Sequence, residues 1–87
     1  IYVTPDAQRT MATYIGACSH VSETDIEAAV IENAAITYVE GYLWDLETAK
    51  SAIRKAIAMA HGAGRKVAFT LSDTFCVERH REEFISL

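Results

Sequence analysis

The spacing of apolar residues along the chain switches between strand-like and helix-like periods, and the elements it predicts mostly alternate. Ile1 to Thr4 is short and β-prone, and Pro5-Asp6 punctuates it as the start of a turn into Ala7-Gln8-Arg9. Thr10 to Ile15 can return as a second strand, while Gly16 to His20 has the small, polar character of a loop. Ser22-Glu23-Thr24-Asp25 offers a helix start with acids in its first turn, predicting a helix from about Glu23 to Asn33. Its apolar positions Ile26, Ala29, Val30 and Ala34 fall on one face. Ala35 to Glu40, rich in β-branched and aromatic residues, predicts a strand that ends in a carboxylate and is closed by Gly41. From about Leu46 to His61 the pattern is strongly helical, with Leu46, Ala49, Ile53, Ala56, Ile57 and Ala60 apolar against Glu47, Lys50, Arg54 and Lys55. Gly62-Ala63-Gly64 stops it, and Lys66 to Leu71 is a nearly continuous apolar strand of the kind covered on both faces. Ser72-Asp73-Thr74 turns out of that strand, and Val77 to Leu87 predicts a final helix with Glu78, Arg79, Arg81, Glu82 and Glu83 on its wet side.

A strand, a helix and a second apolar strand in about forty residues make a βαβ unit, so the expected fold is α/β with a parallel sheet and flanking helices. Two core strands and a short leading one are few for such a sheet, because parallel strands need neighbours to satisfy their backbone groups. The chain also opens at Ile1, directly in a strand and without an initiator Met. Both features lead us to expect an internal piece of a longer polypeptide.

Composition narrows the function classes. Half of the 87 residues are apolar and about a quarter charged, as in an ordinary folded domain. Eight basic residues scattered among twelve acids, a net charge of −4, argue against a nucleic-acid partner, since phosphate binding needs clustered Lys and Arg. No apolar run approaches the roughly 18 residues of a membrane span, nor is there a secretory pattern at the start, so no membrane partner and a cytoplasmic location are expected. Cys18 and Cys76 lack CxxC spacing and read as free buried thiols.

In open parallel sheets the ligand crevice lies beyond the carboxyl ends of the strands, which here means Glu40-Gly41-Tyr42 and Ser72-Asp73-Thr74. Glu40 can accept hydrogen bonds from ligand hydroxyls while Gly41 lets the backbone approach, or it can be a solvated turn carboxylate. Asp73 can face a phosphate site through a metal or water, or simply cap the next helix. Arg9, beside a turn, can reach an anion through its planar fork of donors, or stand exposed. Tyr42, Trp44 and Phe75 fall near the strand ends, where they can stack on a base or pack the loops. None of His20, His61 and His80 is placed like a catalytic base, and Cys76 with His80 supplies only half a zinc site. GxxxxGK and GxGxxG phosphate loops are absent.

Three stretches nevertheless carry a family likeness. In order and spacing, residues 3–11 (Val-Thr-Pro-Asp-Ala-Gln-Arg-Thr-Met), 38–42 (Tyr-Val-Glu-Gly-Tyr) and 70–75 (Thr-Leu-Ser-Asp-Thr-Phe) resemble the middle of PfkB carbohydrate kinases, the ribokinase-like family, in its adenosine-kinase-like branch. The resemblance implies a partial ribokinase-like (Rossmann-like) sheet, with residues 1–15 as part of the lid strands and 16–87 as the central βαβ portion of the large domain. It implies an enzyme that transfers the γ-phosphoryl group of ATP, with Mg2+, to a hydroxymethyl group of a sugar or nucleoside, catalysis there being mainly positioning and charge stabilisation. Glu40 and Gly41 then match the substrate-sugar position, Arg9 the lid arginine near the transferred phosphate, and Ser72 and Asp73 the turn at the phosphate end. The amino-terminal glycine-rich motif, the NxxE motif and the GAGD motif with the catalytic Asp are missing, so the segment alone is expected to be inactive. Its partners would be a sugar or nucleoside, the remainder of the kinase polypeptide and, since lid strands pair some relatives, a homodimer mate. The alternative from another class is a non-catalytic α/β binding or interaction module.

Overall fold

The computed structural model describes residues 1–87 and contains two separate two-stranded sheets. At the amino-terminal end β1 (Tyr2–Val3) and β2 (Arg9–Thr10) pair antiparallel, Tyr2 opposite Thr10 and Val3 opposite Arg9. Thr4 N donates to Gln8 O and Ala7 N to Thr4 O, both at 2.9 Å, and Asp6 accepts from the Thr4 hydroxyl. Ala7 completes the turn in the left-handed region, at φ 65°. The return strand is therefore earlier and shorter than Thr10 to Ile15: β1 offers only two residues to pair with, and residues 11–15 run on without regular structure.

The segment expected to be one helix from Glu23 to Asn33 is broken. Gly16–His20 and Glu23–Asp25 are short 3-10 turns, and α1 covers only Ala28–Asn33. Ile26 takes an extended conformation (φ −93°, ψ 103°). From the next helix, Lys55 Nζ donates to the carbonyls of Glu23 (2.7 Å) and Ile26 (3.4 Å), which a continuous helix would pair within itself. A tertiary contact thus overrides the local period, and Val30, expected on the buried face, is exposed.

The predicted βαβ unit forms. β3 (Ile36–Glu40) and β4 (Lys66–Thr70) are parallel over five residues, from Ile36 beside Lys66 to Glu40 beside Thr70. Between them lie a 3-10 turn, Gly41–Asp45, and α2 (Glu47–Gly62). Ala49, Ala52, Ile53, Ala56 and Ala60 of α2 are buried, and the small alanines let the helix lie close to the sheet. It ends where Gly64, at φ 69°, turns the chain left-handed, so that Arg65 N reaches Ala60 O at 2.8 Å and Gly64 N reaches His61 O at 2.9 Å. α3 (Thr74–Ser86) begins before Val77 because the Asp73 carboxylate accepts from Cys76 N at 2.7 Å and draws the first turn into the helix.

The core gathers Val39, Trp44 and Ile53, with Ile57, Val67, Phe69 and Phe84 packed around them. Phe84 sets its ring edge-on to both Trp44 (5.9 Å between centroids) and Phe69 (5.1 Å). Only one face of the β3–β4 sheet is covered. Thr37, Val39, Val67 and Phe69 point inward, but on the opposite face Ile36 and Tyr38 are 56% and 63% exposed, and Ala68 is exposed beside them. The expectation that β4 is buried on both sides therefore fails within these residues, since no element lies over the second face.

Candidate functional site

The carboxyl ends of β3 and β4 are held against each other by short backbone contacts. Gly41, buried, has no room for a side chain: a Cβ there would lie 2.9 Å from Thr70 O and 3.0 Å from Leu71 O. Gly41 O accepts from Cys76 Sγ at 3.2 Å, and Tyr42 N donates to Ser72 Oγ at 3.0 Å. Ser72 adopts φ 69°, a left-handed conformation rare for a residue with a Cβ, and its amide donates to Thr70 Oγ1. Asp73 is held twice, by Cys76 N and by the Tyr42 hydroxyl at 3.2 Å. Partial burial, then this carboxylate, push the Tyr42 phenol above its ordinary range, and burial does the same to the Cys76 thiol.

Beyond these ends opens a cavity of about 510 Å³. Met11 and Ile15 line one side and Leu43 and Leu46 another, with the ring of Tyr42 and the carboxylates of Glu40, Asp45 and Asp73 as its polar features. Apolar walls with a few convergent polar groups suit a small, hydroxyl-bearing ligand. The Glu40 carboxylate is exposed at this cavity and can accept hydrogen bonds. Asp73 also borders a second, open hollow with Leu71, Thr74 and Val77.

The wall formed by residues 41–45 is tied to α3 by charge. Asp45 accepts from Arg79 Nε (3.0 Å) and Nη2 (2.7 Å), and lies 2.6 Å from His80 Nε2. Arg79 first, then His80, hold the Asp45 carboxyl below the usual carboxylate range. Trp44, fully buried, donates its indole N–H to Glu83 at 3.0 Å, and Lys50 donates to the same carboxylate at 2.9 Å. Lys50 first, then Trp44, lower the Glu83 carboxyl.

Of the residues singled out in the sequence, Glu40, Gly41, Ser72 and Asp73 come together at one end of the sheet. Asp73 does cap α3, and its second oxygen still reaches Tyr42 at the cavity rim. Arg9 stands apart on the hairpin, exposed and outside the chain's ion pairs, which all lie among Asp45, Glu47, Lys50, Arg54, Arg79, His80 and Glu83. Trp44 packs the core, Tyr42 faces the cavity and Phe75 is exposed. Cys76 is buried and Cys18 exposed, against the expectation that both are buried, because Cys18 sits in the unpacked 3-10 turn. Sequence reasoning missed Asp45, whose partners lie 34 and 35 residues away, and the wall given by Met11 and Ile15.

No protein-family model matches the chain, and none of the curated proteins does. Two solved structures match it closely. The adenosine kinase from Sinorhizobium meliloti shares 52% identity with a TM-score of 0.89, and a probable sugar kinase protein from Rhizobium etli shares 50% with a TM-score of 0.90. Each alignment covers 98% of this chain and 26% of the kinase, so the chain spans about a quarter of the length of the structures it matches. At that identity over nearly all its residues, the chain is similar to an adenosine kinase and a probable sugar kinase along a stretch about a quarter of their length.

Proposed function

We propose that these 87 residues form one wall of the acceptor site of an ATP-dependent sugar or nucleoside kinase, which moves the γ-phosphoryl group onto a substrate hydroxymethyl. The observation that carries this reading is half-identity to kinases over 98% of the chain. The strand-end cavity supports it, because Glu40 there meets apolar walls and a tyrosine, a setting for a polyhydroxylated or nucleoside ligand. Glu40 would accept from the acceptor's hydroxyls over the bare backbone of Gly41, orienting it without itself exchanging a proton. Ser72 and Asp73 would fix the end of the cavity nearer the phosphate, and Arg9 would approach that phosphate when the hairpin folds over the site as a lid.

The segment itself does not fit ATP or Mg2+. No three of its His, Cys, Asp and Glu side chains converge as metal ligands, and the amino-terminal end of α3 is already capped by Asp73. We therefore assign nucleotide, metal and the catalytic base to the remainder of the polypeptide, and expect the 87 residues alone to be inactive. That remainder would also cover the open face around Ile36 and Tyr38. A homodimer through the hairpin and a cytoplasmic location complete the proposal, and no helix here is long and apolar enough to cross a membrane.

The test is phosphoryl transfer by the full-length polypeptide that carries this segment, with adenosine and a panel of sugars as acceptors. Transfer to at least one of them is expected, and Glu40→Gln should raise the acceptor KM about ten-fold or more. A full-length protein that binds none of these acceptors and transfers no phosphate would favour the binding-module reading.

A further inference from the structure

The wall of the cavity formed by residues 41–45 continues β3 and leans on the Ser72 turn, but most of its bonds go to α3. Of its five residues, Gly41, Trp44 and Asp45 each bond to α3, through Cys76, Glu83 and the Arg79–His80 pair respectively. The Asp45 contact is the one that reaches the ligand space, since Asp45 lines the cavity together with Glu40 and Tyr42. Its grip is also the most directional: Arg79 presents two parallel N–H donors to the two carboxylate oxygens, a geometry lysine cannot reproduce. His80 closes on the same oxygen with its side chain only 13% exposed, and its second ring nitrogen lies 3.7 Å from Glu83. An exposed pair of this kind contributes little to stability, which leaves its stereochemistry to be explained.

We infer that Arg79 and His80 are positioning residues for the acceptor site: through Asp45 they fix where the wall carrying Tyr42 and Leu43 stands relative to Glu40. The inference rests on the kinase reading above. Neither residue touches the acceptor. With Asp45 released, its carboxylate swings into a cavity that already holds Glu40 and Asp73, and the wall loses its register with β3. The consequence is misplacement of the acceptor, with the phosphoryl-transfer machinery elsewhere in the polypeptide unaffected.

The experiment uses the full-length polypeptide, with kcat and acceptor KM measured separately for the wild type and four single variants. Arg79→Gln should raise KM about ten-fold, short of the roughly hundred-fold cost of a full ångström's misplacement, with kcat within about twofold. Arg79→Lys, which keeps the charge and one donor, should recover part of that loss, and His80→Asn should raise KM by a smaller factor. Arg81→Gln, which removes the same charge from the exposed neighbour on the same helix, should match the wild type. Because Arg79 acts through Asp45, the double variant Asp45→Asn with Arg79→Gln should be no worse than Arg79→Gln alone.

Equal KM in wild type and Arg79→Gln overturns the inference, as does a loss of kcat matching a loss of folded protein. Should Arg79→Gln not fold, Arg79→Lys and His80→Asn decide by the same KM criterion. Failure of all three to fold also overturns it, because the contacts are then purely structural. A wild-type protein that transfers no phosphate instead refutes the kinase reading, so the two failures are told apart.

Discussion

Gly41 is the residue on which the site's geometry is most sharply constrained. Its backbone is in an ordinary conformation, so the constraint is space: the carbonyls of Thr70 and Leu71 stand where a Cβ would go. Neither is the end of a flexible side chain, and relief would require β3 and β4 to part at the ends that bear Glu40 and Asp73. Gly41→Ala should therefore cost about 1–3 kcal/mol in denaturant unfolding of the full-length protein, with a loss of acceptor affinity alongside. An unchanged unfolding midpoint would show that the strand ends part at little cost. Much at this scale was legible in the sequence. The place of Glu40 at a strand end is legible because a β-branched run closes on an acid and a glycine, and the cap at Asp73 because an acid precedes a helical stretch. Asp45 was not, since nothing local distinguishes it from a solvated turn acid, and its meaning comes from Arg79 and His80 far along the chain. Trp44 packs the core, the safer of its two readings, though its indole bond to Glu83 has no local signal in the sequence.

Among the elements, α3 is the one whose attachment adds charge pairs to its apolar packing through Phe84. Asp45 and Glu83 have carboxyl groups held below the ordinary range, by Arg79 and by Lys50 in first place. A group whose pKa is lower folded than unfolded binds more protons when unfolded, so its stabilisation is present above the unfolded value and is lost as pH falls through the folded one. The docking of α3 should thus weaken slightly below about pH 4, the region in which free carboxylates titrate, since the pairs are half exposed. Denaturant midpoints measured from pH 7 to pH 3 should fall along this limb, and Asp45→Asn should flatten it. A limb of equal slope in that variant would assign the acid sensitivity to other carboxylates. The two helices that the sequence misplaced fail for related reasons. α3 begins earlier than its apolar pattern because a cap, which has no period, sets its start. The helix drawn from Glu23 is interrupted because Lys55 takes carbonyls from outside the segment, which no window of neighbouring residues can anticipate. By contrast α2, sixteen residues with five buried on one stripe, was read from its period nearly as it stands.

For the molecule as a whole, only nine of the 87 residues are buried, and Ile36, Tyr38 and Ala68 lie on a sheet face with nothing above it. Apolar surface of this kind on a paired sheet marks a contact surface or an aggregation hazard. The isolated 87-residue chain should bind an apolar fluorescent dye strongly and self-associate at micromolar concentration, while the full-length protein should do neither. Dye binding of equal strength per molecule in both would mean that the face stays open in the longer chain. The architecture itself was legible, because a period of two, then 3.6, then an apolar run encodes a βαβ unit. Which faces are covered was not, since a strand's apolar run does not say what packs on it. The grip of Lys55 on the break at Ile26 has a further consequence, for the order of events in folding. α2 is the longest helix, its exposed positions good helix formers, and it can form early with few distant contacts. Lys55 can reach the carbonyls of the bend ahead of α1 only once that helix stands beside it, so this contact should set late, after the rate-limiting barrier. Removing the ammonium with Lys55→Met should then leave the refolding rate nearly unchanged and quicken unfolding, the signature of a contact made on the native side of the transition state.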